Sequence, residues 1–469
     1  MSKTKIVATL GPASQDPNVI REMIEAGVDV IRLNTKHADP SWHKEQLLKV
    51  RDISEEIEKP VAVLVDLQGP ELRIETKDDL PMHVGLDEKV MFGLDFDKTE
   101  KSIRVQSEEF FSMLTEGDEI LIDNGYQEFT VISVSPDSLI ARSLGDYYVQ
   151  TRKGLNIPGS RFTMSSLIDR DIAILDMLED VGADFVALSF VRRKSDIDLL
   201  RVELEKRNIK TNIVSKVEGV EAIENIDEII QATDAVMVAR GDLGIELPIE
   251  EVVYWQKEII KKCRIHAKPV ITATEMLESM VNNPKPTRAE VSDVANAIYD
   301  GTDAIMLSAE SATGKYPVKA IQMMERISRF NEEKNELPIL EKEEVASQSK
   351  AVTHAVMDLV SLNKDFAVDT AVVFTETGTT ARDLARFRPK INVIAVTESE
   401  LTRNQLCMSY GVDPHKMLLP DGVILEIDSV VKLLMDEKIL HTGSKVVLVH
   451  GDHWKIPGLT NTITIKEIK

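Results

Sequence analysis

NIVSKVEGVEAIENIDEIIQATDAVMVARGD, residues 212–242, sets two apolar runs, NIVSKVE (212–218) and AVMVARGD (235–242), on either side of a helix-like stretch. The runs are continuous rather than alternating, which is the pattern of strands covered on both faces of a parallel sheet. Six more runs repeat the unit: KIVATLG (5–11), VDVIRLN (28–34), VAVLVDL (61–67), DFVALSF (184–190), VITATE (270–275) and AIMLSAE (304–310). Eight such units predict an α/β fold, a (β/α)8 or TIM barrel.

The rhythm breaks once, between the third and fourth runs. From Glu71 to about Asn156, short alternating segments such as EILID (119–123) and EFTVISV (128–134) replace it, the pattern of half-buried strands. The expectation is an inserted all-β lid domain over 71–157, with the barrel formed by 1–70 and 158–333. GPE (69–71) and LNIPG (155–159) bracket the insert with Gly and Pro, so both crossings read as hinges. The charged stretch NEEKNELPILEKEE (331–344) closes the barrel. Four further runs, AVVFT (371–375), NVIAVT (392–397), KVVLVHG (445–451) and TITIKEI (462–468), predict a C-terminal α/β domain over 334–469.

A chain of 469 residues exceeds the size at which one core stops growing, in keeping with that division. The 43% hydrophobic and 29% charged content is ordinary for a folded domain protein. Lys and Arg number 56 against 79 Asp and Glu, a net charge of −23 that repels nucleic acid and anionic lipid. A phosphate ligand must therefore meet a locally basic pocket. No apolar run approaches the roughly 20 residues needed to cross a bilayer, and the amino terminus shows no signal-peptide pattern. The expectation is a cytoplasmic protein with no nucleic-acid or membrane partner. Cys263 and Cys407 lie far apart with no CxxC or Cys/His cluster, and both read as buried small hydrophobes.

Active sites of such barrels sit at the carboxyl ends of the strands. Here those ends carry Arg32 and Asn34, Asp66, Ser189, Lys216 and Glu218, Arg240 and Asp242, Thr274, and Ser308 with Glu310. One charged strand end is usually a solvated terminus or a chance ion pair, whereas polar groups at nearly every end need another cause. Glu218 and Asp242 end neighbouring strands and can converge on a hard cation such as Mg2+, which takes one or two protein carboxylates. Lys216, two residues before Glu218, shares its strand face. A lysine, an arginine and a divalent cation around one opening suit phosphoryl transfer, where most of the work is positioning and neutralising charge. The RGD inside VARGDLG is not read as an adhesion tripeptide, which would require secretion.

TKIVATLGPAS (4–14), DLQGPELR (66–73), KGLNIPG (153–159), SFVRRKSD (189–196), SKVEGVEAIENIDEI (215–229), VMVARGDLGIELP (236–248), KPVITATEMLESM (268–280), the stretch 286–317 and GLTNTI (458–463) together resemble one known family, pyruvate kinase, over essentially the whole chain. The resemblance implies transfer of the phosphoryl group of phosphoenolpyruvate to ADP, giving pyruvate and ATP, with Mg2+ or Mn2+ as cofactor. It implies Lys216 on the phosphoryl group in flight and then on the enolate oxygen, Arg32 on the substrate phosphate, and Glu218 and Asp242 on the metal. Backbone amides near Gly241 and Asp242, with Thr274, would receive the substrate carboxylate. Ser308 and Glu310 would belong to the network that relays a proton to the enolate. Asn34, His37, Arg73 and Lys153 would bind the nucleotide, and the insert would close as a lid that excludes water.

TETGTTARDLARFRP (375–389) resembles the family's sugar-phosphate effector loop, which implicates Thr375, Thr377, Gly378, Thr379 and Thr380 in binding a phosphorylated allosteric effector. Hydroxyls and a glycine opening a helix also describe a plain N-cap. The loop HGDHWKIPGLTN (450–461), with Trp454, lacks the arginine of members regulated by fructose-1,6-bisphosphate, so the effector stays unspecified. A homotetramer is also implied.

The chain departs from the family pattern at Lys36, which replaces the usual serine, at Ala38, which replaces a glycine, at Trp42 and at Gln68. The replaced serine belongs to a K+ site that the resemblance otherwise places on Asn34, Asp66 and Leu67. An ammonium and K+ would compete for one carboxylate, and two unit charges about 4 Å apart interact by roughly 4 kcal/mol at an effective dielectric near 20. The expectation is that Lys36 takes the place of the ion. The other reading is a lysine carried to solvent on its flexible stem. Two other functions stay open at this level, a metal-dependent lyase acting on pyruvate-like acids and a non-catalytic effector-binding paralogue. The insert with Lys153 counts against the first, and intact Lys216, Glu218, Asp242 and Thr274 count against the second.

Overall fold

The computed structural model describes residues 2–97, 101–159, 164–334, 340, 347–360, 368–418, 427–451, 458 and 460–469. Strands β1 (Lys5–Thr9), β2 (Val30–Asn34), β3 (Ala62–Asp66), β4 (Phe185–Leu188), β5 (Asn212–Val217), β6 (Ala235–Ala239), β7 (Val270–Ala273) and β8 (Ala304–Leu307) close in chain order into a parallel barrel. The continuous apolar runs are explained by burial on two sides. Val7, Leu64, Phe185, Val214, Met237, Ile271 and Met306 fill the inside, while Ile6, Val63, Val186, Ile213 and Val236 pack outward against the helices. Each fully buried aliphatic side chain contributes about 1.5–3 kcal/mol, which is how strands this short hold a rigid frame. Cys407 and Met408, from the last domain, join the inner cluster. Burial pushes both cysteine thiols up, Cys407 to about 12, so both behave as inert core side chains.

Between β3 and β4 the chain builds a second, seven-stranded closed barrel that includes Leu72–Thr76, Glu119–Ile122, Gln127–Ser135 and Gly154–Asn156. Its core is aromatic: Phe92, Phe110, Phe111 and Phe129 are buried, the middle two supplied by a short helix, Glu108–Met113, that the alternating pattern does not predict. The outgoing crossing turns at Gly69, whose φ of +69° and 3.0 Å clearance from Ser189 Cβ leave no place for a side chain. The chain re-enters the barrel through helix α1 (Asp169–Val181) and continues to α2 (Arg240–Glu246), which follows β6 directly.

The last domain is a five-stranded sheet of β9 (Thr370–Phe374), β10 (Asn392–Thr397), β11 (Val412–Lys416), β12 (Lys445–Gly451) and β13 (Thr460–Glu467), in the order β11–β10–β9–β12–β13, with β13 antiparallel. β11, VDPHK, has no apolar run to announce it. It is an edge strand with Pro414 opposite Ala395, a position where a missing amide donor is tolerated. Helix α3 (Thr379–Ala385) follows β9. Most of the charged stretch at 335–344 and of the loop at 450–461, with Trp454, lies outside the described residues. Among the described residues no helix is long and apolar enough to cross a membrane.

Candidate active site

The parallel register places the strand ends side by side, Asn34 opposite Asp66 and Lys216 opposite Met237. Lys216 is buried at the centre of the result. Its ammonium lies 2.7 Å from Ser189 Oγ, 2.8 Å from Glu218 Oε1 and 3.5 Å from Asp66 Oδ1. Burial alone would lower its pKa, but the charges of Asp66, Glu218 and Asp242 together hold it above the ordinary lysine value. Lys216 is therefore a fixed cation. Arg32 grips Asp66 Oδ2 through Nε at 2.7 Å and Nη2 at 2.6 Å, and its Nη1 donates to Thr9 Oγ1. Burial opposes the charge of Asp66, but Lys216 and then Arg32 outweigh it and hold the carboxyl below the usual range. Asp66 Oδ1 is buried and accepts no hydrogen bond.

Glu218 Oε2 accepts from the Phe190 amide at 2.6 Å. Asp242, in the first turn of α2, is within hydrogen-bond reach of Glu218; burial, and then the Glu218 charge, push its carboxyl up. Two carboxylates forced together want a proton or a cation between them. The donor set fits Mg2+ or Mn2+, which accepts two carboxylates and leaves its other positions to water and substrate oxygens. Among the described residues no group of three or more acidic, His or Cys side chains is placed to hold a metal ion.

The end of β7 is strained. Thr274 and Glu275 hold φ of +70° and +54°, a region that non-glycine residues avoid unless the surroundings impose it. Arg240 imposes it by donating to the Ala273 and Thr274 carbonyls while forking onto Asp293 at 2.6 and 2.7 Å. Thr274 Oγ1 in turn accepts from the Gly241 amide at 2.8 Å. Past β8, the fully buried Glu310 accepts from the Leu277 and Ser308 amides at 3.0 and 2.8 Å, tying the loops after β7 and β8 together.

Lys36 turns into the mouth. Its ammonium lies 3.4 Å from Glu71 Oε2 and 5.7 Å from the centroid of the Phe190 ring, and its charge reaches Asp66 and Asp242. Asn34 Oδ1 accepts from the Lys36 amide, and Leu67 is buried. Arg73 shares Glu71 Oε2 at 2.9 Å, and its backbone pairs with Gly154, beside Lys153. Lys153 pairs with Asp123 at 2.8 Å. The His37 ring is partly buried and faces Arg73, Lys36, Arg170 and Arg32, all of which keep it neutral. A cavity of about 110 Å³ separates the insert from the mouth, lined by Leu72, Leu155, Phe190, Asp242 and Glu246 among others.

The family description "Pyruvate kinase, barrel domain" matches residues 1–321, and "Pyruvate kinase, alpha/beta domain" matches 350–466. The chain belongs to the pyruvate kinase family. A pyruvate kinase of Agrobacterium vitis is 37% identical over 474 residues, covering 99% of this chain and 98% of that one. One from Clostridium perfringens is 35% identical over 484 residues, the full length of both. The crystal structure of a pyruvate kinase from Cryptosporidium parvum aligns with a TM-score of 0.90 at 28% identity, over 100% of this chain and 96% of that one.

Thr375, Thr377, Gly378, Thr379 and Thr380, the residues expected to hold an effector, lie between β9 and the first turn of α3. Thr375 Oγ1 accepts from the Gly378 amide, Thr377 and Thr379 share a hydroxyl hydrogen bond at 2.9 Å, and Thr380 shares one with Thr460 at 2.8 Å. Sequence reasoning does not reach Glu246, Arg170 or Asp171. The signal available for Glu246 is its place one helical turn after Asp242; nothing in the sequence marks the other two.

Proposed function

We propose that the mouth of the barrel carries out the pyruvate kinase reaction, in which phosphoenolpyruvate, ADP and a proton give pyruvate and ATP. The observation that carries the reading is the permanently charged Lys216, buried between Asp66 and Glu218 with Arg32 beside it. In a water-poor site, fixed donors aimed at developing charge are worth more than in solvent and need no reorganisation. Arg32 binds the substrate phosphate, and Lys216 stabilises first the phosphoryl group in flight and then the enolate oxygen. Glu218 and Asp242 would hold Mg2+ or Mn2+, which when bound supplies further charge neutralisation.

The amides of Gly241 and Asp242 receive the substrate carboxylate, with Thr274 exchanging its contact to the Gly241 amide for one to substrate. Ser308 lies on the proton relay to the enolate, and Glu310 fixes it through the backbone. Asn34, neutral His37, Arg73 and Lys153 bind ADP, and the insert closes over them. Lys36 replaces K+ beside Asn34, Asp66 and Leu67, a reading supported by its inward direction. A phosphorylated effector at Thr375, Thr377, Gly378, Thr379 and Thr380, a homotetrameric assembly, a cytoplasmic location and the domain limits 1–70 with 158–333, 71–157 and 334–469 complete the proposal. A coupled assay tests it. Pyruvate should form only when phosphoenolpyruvate, ADP and Mg2+ are all present. Pyruvate formed without ADP would mark hydrolysis of phosphoenolpyruvate to inorganic phosphate instead of transfer, and no turnover would point to a lyase with another substrate or a non-catalytic paralogue.

A further inference from the structure

The first turn of α1 touches the lid hinge and the nucleotide loop together. Asp171 is fully buried, and its carboxylate accepts from the Gln68 amide at 2.9 Å, the Gly69 amide at 3.2 Å and the Ile168 amide at 3.1 Å. It thus locks the outgoing crossing of the insert to the helix on which the chain returns. Arg170, next to it, reaches the other way: Nε donates to the Thr35 carbonyl at 2.7 Å and Nη2 to the Ala38 carbonyl. Those two carbonyls flank Lys36 and His37. Ala38 sits at φ +58°, a conformation that a side chain disfavours, so the loop depends on restraint from outside itself. At its start, the Thr35 amide and hydroxyl donate to the Asp66 carbonyl at 3.0 and 2.8 Å. Further along, His43 Nε2 contacts the His37 carbonyl at 2.8 Å, and the Arg170 fork holds the carbonyls on both sides of Lys36 and His37.

We propose that Arg170 is a positioning residue for the nucleotide: it holds the loop at 35–38 in the shape that meets ADP, and through Asp171 it couples that loop to the lid hinge. This rests on the reading above that Asn34 and His37 bind ADP. The groups assigned to phosphoenolpyruvate are held by other means, Arg32 and Lys216 by their ion pairs and Thr274 by Arg240. The effect of losing Arg170 is therefore selective.

Steady-state kinetics with each substrate varied separately tests this, alongside calorimetric titration with ADP. Hydrogen bonds to charged groups are typically strong enough that losing the fork should raise KM and Kd for ADP by about tenfold or more in Arg170→Met. The KM for phosphoenolpyruvate should stay within about twofold by the same reasoning, because no contact to that substrate's residues is lost. Arg170→Lys, which keeps the charge and loses the fork, should recover part of the ADP affinity. If Arg170→Met does not fold by circular dichroism, Arg170→Lys decides alone: a rise confined to ADP supports the proposal. Parallel rises for both substrates, or no rise for ADP, overturn it. A wild-type enzyme that makes no ATP instead sinks the underlying assignment, and the proposal with it.

Discussion

The barrel mouth and the Thr375–Thr380 loop both collect polar side chains just past a strand, and they satisfy them differently. In the mouth, the partners come from different strands and carry opposite charges: Arg32 with Asp66, Lys216 with Glu218, and Asp242 pressed against Glu218. The set is left open, with one buried Asp66 oxygen that accepts no hydrogen bond and faces the Lys216 ammonium at 3.5 Å, and with Asp242 pressed against Glu218. In the loop, hydroxyls bond one another and the adjacent backbone, and the Arg382 guanidinium donates to the Thr377 carbonyl. A site that performs chemistry keeps unbalanced charges in place against their electrostatic cost, whereas a loop proposed only to bind a ligand can rest with its hydroxyls bonded to one another. Strain follows the same division, since Phe190, Thr274 and Glu275 hold left-handed backbone around the mouth.

The largest expected effect is at the centre of the mouth. Lys216→Met should lower kcat by at least about 10²-fold, the usual scale for removing one preorganised electrostatic group. The matching truncation in the loop, Thr377→Ala, should leave kcat in the absence of effectors within about twofold, as for surface substitutions away from such a site. Near-normal turnover in folded Lys216→Met would erase the distinction between the two regions.

Next in size is the carboxylate pair. Asp242→Ala should raise the Mg2+ concentration for half-maximal rate by about tenfold or more, or abolish turnover, and excess EDTA should silence the wild type. Full activity in EDTA would remove the reason for holding two carboxylates together.

Lys36 sharpens the comparison at the rim of the mouth. In buffer whose only monovalent cation is tetramethylammonium, the wild type should work without added K+, while Lys36→Ser should recover activity only when K+ is supplied. Strong activation of the wild type by K+ would assign Lys36 to its ion pair with Glu71 alone.

The smallest effect concerns Glu246, whose carboxylate accepts from the Gly159 amide and the Asn156 side chain at the returning crossing. Burial outweighs those contacts and raises its pKa from 4.5 to about 7. A folded value above the unfolded one means that the protonated carboxyl supports the fold fully below about pH 4.5, and that this support is lost as pH rises through about 7. Glutamine cannot ionise. Glu246→Gln should therefore raise Tm more at pH 8 than at pH 5, and an equal shift at both would show that the carboxyl does not titrate in that range.

The barrel was legible because two-sided burial writes itself as uninterrupted apolar runs, and parallel topology then forces every run to end on the same rim. Lys216, Glu218 and Asp242 could be named from strand spacing for that reason. Edge and capping positions leave weaker traces: VDPHK forms β11 through neighbour pairing, and Phe110 and Phe111 ride on a helix too short to show a period. Arg170 and Asp171 act through backbone amides and carbonyls distant in sequence, from Gln68 to Thr35, so their role appears only once the chain has folded. Within RLNTKH (32–37) the polar groups serve separate ends: Arg32 pairs with Asp66, Asn34 accepts from the Lys36 amide, Thr35 bonds the Asp66 carbonyl, and Lys36 reaches Glu71.

The central claim is that the open, charged mouth transfers a phosphoryl group to ADP instead of to water. Phosphorus NMR of the purified protein with phosphoenolpyruvate, ADP and Mg2+ reads this directly. The account predicts loss of the phosphoenolpyruvate signal with matching growth of the ATP γ-phosphate, one for one, and no change when ADP is omitted. Release of inorganic phosphate in place of ATP, or an unchanged phosphoenolpyruvate signal with folded wild-type protein, would contradict it.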